Sequence, residues 1–286
     1  MPHIVKSDGG VEEFRSEKLV RSLVHSGADE SVAEGIAGDV EQEVREGMST
    51  HEIYARAFER LRDHRQYAAA RYSLKRAILE FGPSGFPFES YLASLFRAEG
   101  YETAVDVHVR GRCVEHEVDV VLSNQNEKIY VEAKFHNTLG FKTDLQVALY
   151  VEARLEDILA AEGISREHRE EHGGVRHAGM IVTNTKFTSL AVAYAECRGL
   201  PLLAWKYPAK NNLHDRIART HLYPVTALTT LSRRQKQELL TQRIVLVNEL
   251  AYHEAALTGV GVSRDDMRRV LEEASAIIVL PTAAQE

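Results

Sequence analysis

Asp119, Glu132 and Lys134 stand inside two stretches, "HEVDVVL" and "KIYVEAKF", that otherwise read as apolar strands. Side chains alternate faces along an extended chain. Val131, Ala133 and Phe135 therefore form an apolar face, and Tyr130, Glu132 and Lys134 share the other. The turn-rich "SNQNEK" joins the strands as a hairpin, which brings the Asp119 carboxylate beside that of Glu132. Two carboxylates about 4 Å apart repel by roughly 4 kcal/mol at an effective dielectric near 20, so the pair needs a counter-charge or a retained proton. A divalent cation meets that need. Magnesium takes oxygen ligands, keeps several waters and is commonly held by one or two carboxylates together with phosphate oxygens. Lys134 would then orient and polarise a water and offset charge developing on a phosphate. An ordinary strand-surface salt bridge among the same side chains is the alternative, and spacing alone does not separate the two.

A chain of 286 residues predicts more than one domain. With 44% apolar and 27% charged residues it has the composition of a folded, soluble protein. No apolar run approaches the roughly 20 residues needed to span a bilayer, and "MPHIVKSDGGVEEF" lacks the apolar core of a signal peptide, so a cytoplasmic protein without membrane contact is expected. Cys113 and Cys197 are far apart with no CxxC pairing, so neither a disulfide framework nor a thiolate zinc site is implied. The formal net charge of −7 argues against a basic coat for indiscriminate nucleic-acid binding and leaves a local basic groove open. No GxxxxGK(S/T) loop is present, so no P-loop motor is expected, and "HEVDV" lacks the second histidine of an HExxH zinc site.

"HIVKSDGGVEEF" reads as a hairpin with a two-residue turn around Asp8-Gly9-Gly10, followed by Ser16 as the N-cap of a helix that stops at Gly27. Further helical periodicity covers residues 30–46, 50–64 and 66–80, giving a hairpin-capped helix bundle over residues 1–82. Pro83, Gly85 and Pro87 oppose helix continuation and mark a linker. From Phe88 the pattern is a helix, three extended segments, a long helix, a charged irregular stretch "SREHREEHGG", then strand, helix and strand. This predicts an α/β fold over residues 88–228, a mixed sheet with helices on both faces. The tail, residues 229–286, reads as helical with two short hairpin-like breaks.

The central motif resembles the PD-(D/E)xK nuclease superfamily, and within it the Mrr-like restriction endonucleases. Asp119 matches the acid that closes one strand, and Glu132-Ala133-Lys134 matches the E-x-K of the next. Glu89 in "FPFESYLASLFRAEGY" matches the family's first-helix acid, and Gln146 with Tyr150 in "QVALY" matches its Q-x-x-x-Y pair, one helical turn apart. The proline that names the superfamily does not adjoin Asp119. The resemblance implies Asp119 and Glu132 as ligands of Mg2+ or Mn2+, Glu89 as an auxiliary ligand, and Lys134 as the water-orienting group. It implies Gln146 and Tyr150 as supports for the phosphate. His116 and His136 are read as structural, with outer-shell or phosphate contacts as alternatives.

The first eighty residues resemble an ATP-cone, a small nucleotide-sensing domain, through "VKSDGGVEEFRSEKL", similar to V-x-K-R-x-G-x-x-E-x-F-x-x-x-K. The resemblance implies Lys6 and Lys18 at the phosphates of ATP or dATP, with Val5, Glu12, Phe14 and Thr50 around base and sugar. Ser7 stands where the family has arginine. The tail resembles tandem helix-hairpin-helix DNA-binding elements. "LTGVGVS" supplies Gly259 and Gly261 for backbone approach to a phosphate, and Arg233, Arg234 and Lys236 supply charge. A plain helical cap is the alternative, since the first hairpin, "TQRIV", has no glycine.

Taken together these motifs predict a Mg2+- or Mn2+-dependent DNA endonuclease regulated by adenine nucleotide, acting as a homodimer or higher oligomer because cutting both strands needs two sites. A nucleotide-responsive DNA-binding protein whose nuclease fold no longer cuts is one alternative. A nucleotide sensor whose α/β part mediates assembly is another.

Overall fold

The structure is a computed structural model in which residues 2–6, 9–64, 68–69, 72–164 and 174–278 are described. Ser7, Tyr67 and the stretch "SREHREEH" lie outside these residues. The chain forms two compact units, Met1–Glu80 together with Tyr223–Glu286, and Phe81–Leu222. Chain order suggests three consecutive blocks, whereas packing gathers the first and last into one unit.

In the first unit, strand β1 (His3–Val5) pairs antiparallel with β2 (Val11–Glu13) and parallel with β3 (Met48–Ser49). The expected two-residue turn is longer: Val5 pairs with Val11, and the Lys6 N–H donates to the Gly10 carbonyl at 2.8 Å. Gly9 takes a left-handed φ of 81°, the residue type that permits a longer hairpin loop to close. The sheet packs on helices Ser16–His25, Glu30–Glu43 and Thr50–His64 through Ile4, Phe14, Leu19, Leu23, Ile36, Val40 and Leu61. Ser16 is the first helical residue rather than its cap; Arg15 holds the cap position with an extended backbone.

The tail docks on the short helix Leu74–Leu79. Thr226 Oγ1 donates to the Ala77 carbonyl at 2.7 Å, and the Gln237 amide donates to the Glu80 carbonyl. Glu273, 3% exposed on helix Arg264–Ile278, accepts from the backbone N–H and the hydroxyl of both Thr229 and Thr230 at 2.6–2.9 Å. This carboxylate fastens the last helix to the loop that precedes helix Arg233–Thr241. The glycine-free hairpin nonetheless forms. Arg243 adopts φ 64° where the second hairpin has Gly261 at φ 79°. Matching backbone bonds close both, Ile244 N–H to Leu239 O and Val262 N–H to Leu257 O, each at 3.0 Å.

In the second unit the helix Phe86–Ala98 starts earlier than the prolines suggest. Pro87 sits in its first turn, where no intrahelical donor is needed, so it begins the helix instead of ending a linker. A five-stranded sheet follows, built from β4 (Glu102–Arg110), β5 (Glu115–Ser123), β6 (Glu127–Lys134), β7 (Arg176–Thr183) and β8 (Leu202–Leu203). Their spatial order is β8-β7-β6-β5-β4. β4, β5 and β6 form an antiparallel meander, while β6, β7 and β8 run parallel and are linked by the crossover helix Leu145–Ala161 and by helix Ser189–Arg198. The predicted mixed α/β sheet is therefore the observed one. Phe135 packs on Phe88 of the first helix, and Tyr130, on the opposite face of β6, is buried with Leu155 and Ile158 of the crossover helix. Among the described residues no helix is long and apolar enough to cross a membrane.

Candidate functional site

β5 and β6 pair with Val120 opposite Val131, and the same register carried one residue further sets Asp119 opposite Glu132. The Asp119 carboxylate does not point away from its partner strand. Its Oδ2 accepts from the Ala133 backbone N–H at 2.6 Å, which fixes it beside the E-x-K segment. Burial, and then the charge of Glu132, push its pKa up to about 6. Glu89, in the first turn of helix Phe86–Ala98, is pushed up to about 7 by burial and then by the charges of Asp119, Asp106, Glu117 and Glu132. Gly85 makes room for this acid, because a Cβ there would stand 2.8 Å from Glu89 Oε1.

The three acids picked out in the sequence thus lie within one another's electrostatic reach. Lys134 ends β6 with its side chain exposed. Asp144 caps the crossover helix by accepting from Gln146 N–H at 3.0 Å, and Gln146 and Tyr150 stand exposed on its first turns. Among the described residues no three His, Cys, Asp or Glu side chains are gathered closely enough to hold an ion. The donor chemistry still suits a hard cation. Burial and neighbouring carboxylates raise the proton affinity of Asp119 and Glu89, a balance of charge that a cation would offset, and magnesium needs only one or two carboxylates with water completing its shell.

Sequence reasoning missed three residues here. Arg154 lies two helical turns beyond Gln146, with its side chain 2% exposed; Nη2 is 2.9 Å from Glu132 Oε2, and Nη1 donates to the Glu117 carbonyl at 3.0 Å. The four-residue spacing of Gln146, Tyr150 and Arg154 was the available signal. Asp106 is the second. The β4–β5 ladder runs from Glu102 opposite Ser123 to Val105 opposite Val120, resumes at Val107 opposite Val118, and skips Asp106 and Asp119. Asp106 has a left-handed φ of 57° in mid-strand, a conformation aspartate tolerates better than most residues. Nothing in the alternating "TAVDVHVRG" marks it. Glu117 is the third, its charge raising both Asp119 and Glu89.

His116 has a structural partner. Its Nε2 lies 2.8 Å from Asp157 Oδ2, and Asp157 also accepts from Cys113 N–H at 2.9 Å, fastening the β4–β5 turn to the crossover helix. These bonds, that of His116 first, hold the Asp157 carboxyl well below the usual range. His136 N–H donates to Asn184 Oδ1 at 2.9 Å, ordering the loop after Lys134.

In the first unit three of the predicted nucleotide residues, Lys6, Glu12 and Lys18, meet. Lys6 Nζ and Lys18 Nζ lie 2.8 and 3.0 Å from the same Glu12 oxygen. Lys6, then Lys18, lowers the Glu12 pKa. Val5 pairs with Ser49, next to Thr50 at the start of its helix, and Phe14 is buried beneath. A cavity of about 380 Å³ lies elsewhere, lined by residues such as Ser31, Ile36, Asp39 and Arg60.

In the tail, Arg233 and Arg234 open their helix exposed, and a Cβ at Gly261 would lie 3.8 Å from Arg234 Nη2, so that arginine sits beside the second hairpin. Gly259 is exposed at the end of helix Glu254–Gly259. Lys236 turns inward. Its side chain is 14% exposed and 3.9 Å from Glu80, and burial lowers its pKa.

Comparison with known proteins places these parts. Residues 2–78 match the ATP cone domain, residues 83–206 a restriction endonuclease family, and residues 223–278 the AF1548-like C-terminal family. A protein of Archaeoglobus fulgidus described as "Uncharacterized protein" is 34% identical over 188 residues, covering 65% of this chain and 99% of its own. The crystal structure of the protein of unknown function AF1548 is similar with a TM-score of 0.54 and 32% identity, over 68% of this chain and 98% of that one. The structure of Can2 from Sulfobacillus thermosulfidooxidans in complex with cyclic tetra-adenylate has a TM-score of 0.31 and 12% identity, over 71% of this chain and 51% of that one.

Proposed function

The chain belongs to the AF1548-like family, and from that premise we propose that it is a divalent-metal-dependent DNA endonuclease whose activity or assembly is set by an adenine nucleotide in its ATP cone. The observation that supports the reading is the hydrogen bond pinning Asp119 to the backbone between Glu132 and Lys134, with Glu89 within electrostatic reach of both acids. Asp119 and Glu132, with Glu89 as auxiliary, would hold Mg2+ or Mn2+, which when bound supplies a Lewis acid for the phosphate and lowers the pKa of water.

The chain's own groups do the rest. Lys134, exposed at the strand end, orients a water and offsets charge on the phosphate in the transition state. Gln146, exposed at the start of the crossover helix, contacts the phosphate backbone. Arg233, Arg234 and the backbone at Gly259 and Gly261 position DNA without reading its sequence. ATP or dATP sits at Lys6 and Lys18, and the active form is a dimer or larger.

The test is cleavage of plasmid DNA with Mg2+ or Mn2+ by the parent, Glu132→Ala and Lys134→Ala, each with and without ATP. Loss of cutting in both variants is expected. Equal cleavage by all three proteins would remove the site assignment, and DNA binding without cleavage by the parent would select a non-cutting, nucleotide-responsive DNA-binding protein instead.

A further inference from the structure

We infer that Arg154 is the positioning residue of this carboxylate site and that Tyr150 acts through it. The inference deepens the metal-dependent reading and rests on it. An arginine is always charged, and burying one is costly unless its charge is met. The Arg154 side chain is 2% exposed and lies where Glu132, Asp119 and Glu117 influence one another. Its Nη1 holds the Glu117 carbonyl of β5 at 3.0 Å and its Nη2 faces Glu132 of β6 at 2.9 Å, so one guanidinium ties both acid-bearing strands to the crossover helix. The Nη2 contact lies within ion-pair range but has no aligned hydrogen-bond acceptor, so it acts by charge rather than as a directional bond. Its approach to Glu132 is through Oε2, and fixing that oxygen fixes the plane of the carboxylate that would face a cation.

Tyr150 completes the chain of contacts. Its ring centroid lies 5.1 Å from the Arg154 guanidinium carbon, a cation–π distance, while the residue is 53% exposed. The tyrosine therefore reaches the site by supporting the arginine that orients Glu132, and what it contributes is its ring face. A core arginine with only a packing role would leave ion affinity unchanged when its exposed aromatic neighbour is altered. An arginine that orients a ligand would not, since loss of such outer-shell partners costs about 10–100-fold in metal affinity.

The experiment is isothermal titration of Mn2+ into the full chain without DNA or nucleotide, for the parent, Glu132→Ala, Arg154→Met, Tyr150→Phe and Tyr150→Ala, with thermal melts alongside. Arg154→Met is expected to weaken Mn2+ binding about 10–100-fold, and Tyr150→Ala to weaken it by roughly several-fold, whereas Tyr150→Phe stays at the parent affinity. If Arg154→Met does not fold, the two Tyr150 variants decide, because that side chain is exposed. Parent-like binding by Tyr150→Ala, or by a folded Arg154→Met, while Glu132→Ala has lost the ion, overturns the inference and leaves the metal-dependent reading standing. Absence of Mn2+ binding by the parent removes that reading and this inference with it.

Discussion

The Asp119 carboxylate accepts a 2.6 Å hydrogen bond from the backbone N–H of Ala133, the residue between Glu132 and Lys134. One bond thereby fixes the spacing between the two strands' acids, and it puts Asp119 where burial and then Glu132 raise its pKa to about 6. A carboxyl whose folded pKa lies above its unfolded value contributes stability that is present below the unfolded pKa and lost as pH rises through the folded one. For Asp119 and for Glu89, at about 7, that window runs from about pH 4 to 7. Asp119→Asn keeps an acceptor for Ala133 and removes the charge. In EDTA at pH 7.5 it should raise stability by about 1–2 kcal/mol, discounted for partial exposure, and by little at pH 4. Denaturant unfolding at both pH values checks this, and a lower stability at pH 7.5 would refute it. Cleavage should be lost in the same variant.

Gly85→Ala should separate fold from site. The added Cβ would stand 2.8 Å from Glu89 Oε1, the far end of a flexible side chain, so the acid swings away at little cost to folding. The expected outcome is a stability change under about 1 kcal/mol with a drop in Mn2+-supported cleavage of about several-fold. An unchanged cleavage rate would show that Glu89 does not serve the ion.

Glu12 pairs with Lys6 and Lys18 at 2.8 and 3.0 Å. A triphosphate arriving at these lysines must compete with that carboxylate. Lys18→Ala should weaken ATP binding about 10-fold, since hydrogen bonds to charged groups are worth about 1.5–3 kcal/mol and part of that is already spent on Glu12. Raising salt should weaken the parent's binding more than the variant's. Calorimetry at two ionic strengths measures both effects, and an ATP affinity indifferent to Lys18 would relocate the site.

Where a side chain's placement follows from local alternation, the sequence was readable. Glu132 and Lys134 share a strand face, and Gln146 and Tyr150 share a helix face, because periodicity needs no knowledge of distant parts. The hairpin through Asn124 brought Asp119 to Glu132 for the same reason. What stayed hidden depends on contacts between elements far apart in the chain. Arg154 has meaning only once the crossover helix lies on β5 and β6, and Lys236 is turned inward only because the tail docks beside Glu80. Backbone conformation was hidden as well. Asp106 and Arg243 take left-handed angles that glycine would have advertised, and their own side chains do not.

Arg243 makes that last point testable. A non-glycine residue at φ 64° carries a steric penalty of about 1–2 kcal/mol, and the hairpin is closed by backbone bonds from Arg243 N–H to Leu240 O and from Ile244 N–H to Leu239 O, which a substitution leaves available. Arg243→Gly removes the penalty and gives back somewhat less as extra freedom of the unfolded chain, so the net effect should lie between zero and about 1 kcal/mol of stabilisation. Arg243→Val, β-branched and unsuited to this conformation, should cost more than about 1 kcal/mol. Urea unfolding of the three proteins orders them. Should valine prove no worse than arginine, the hairpin does not hold its left-handed turn in solution, and its likeness to the glycine-containing second hairpin would fail at this position.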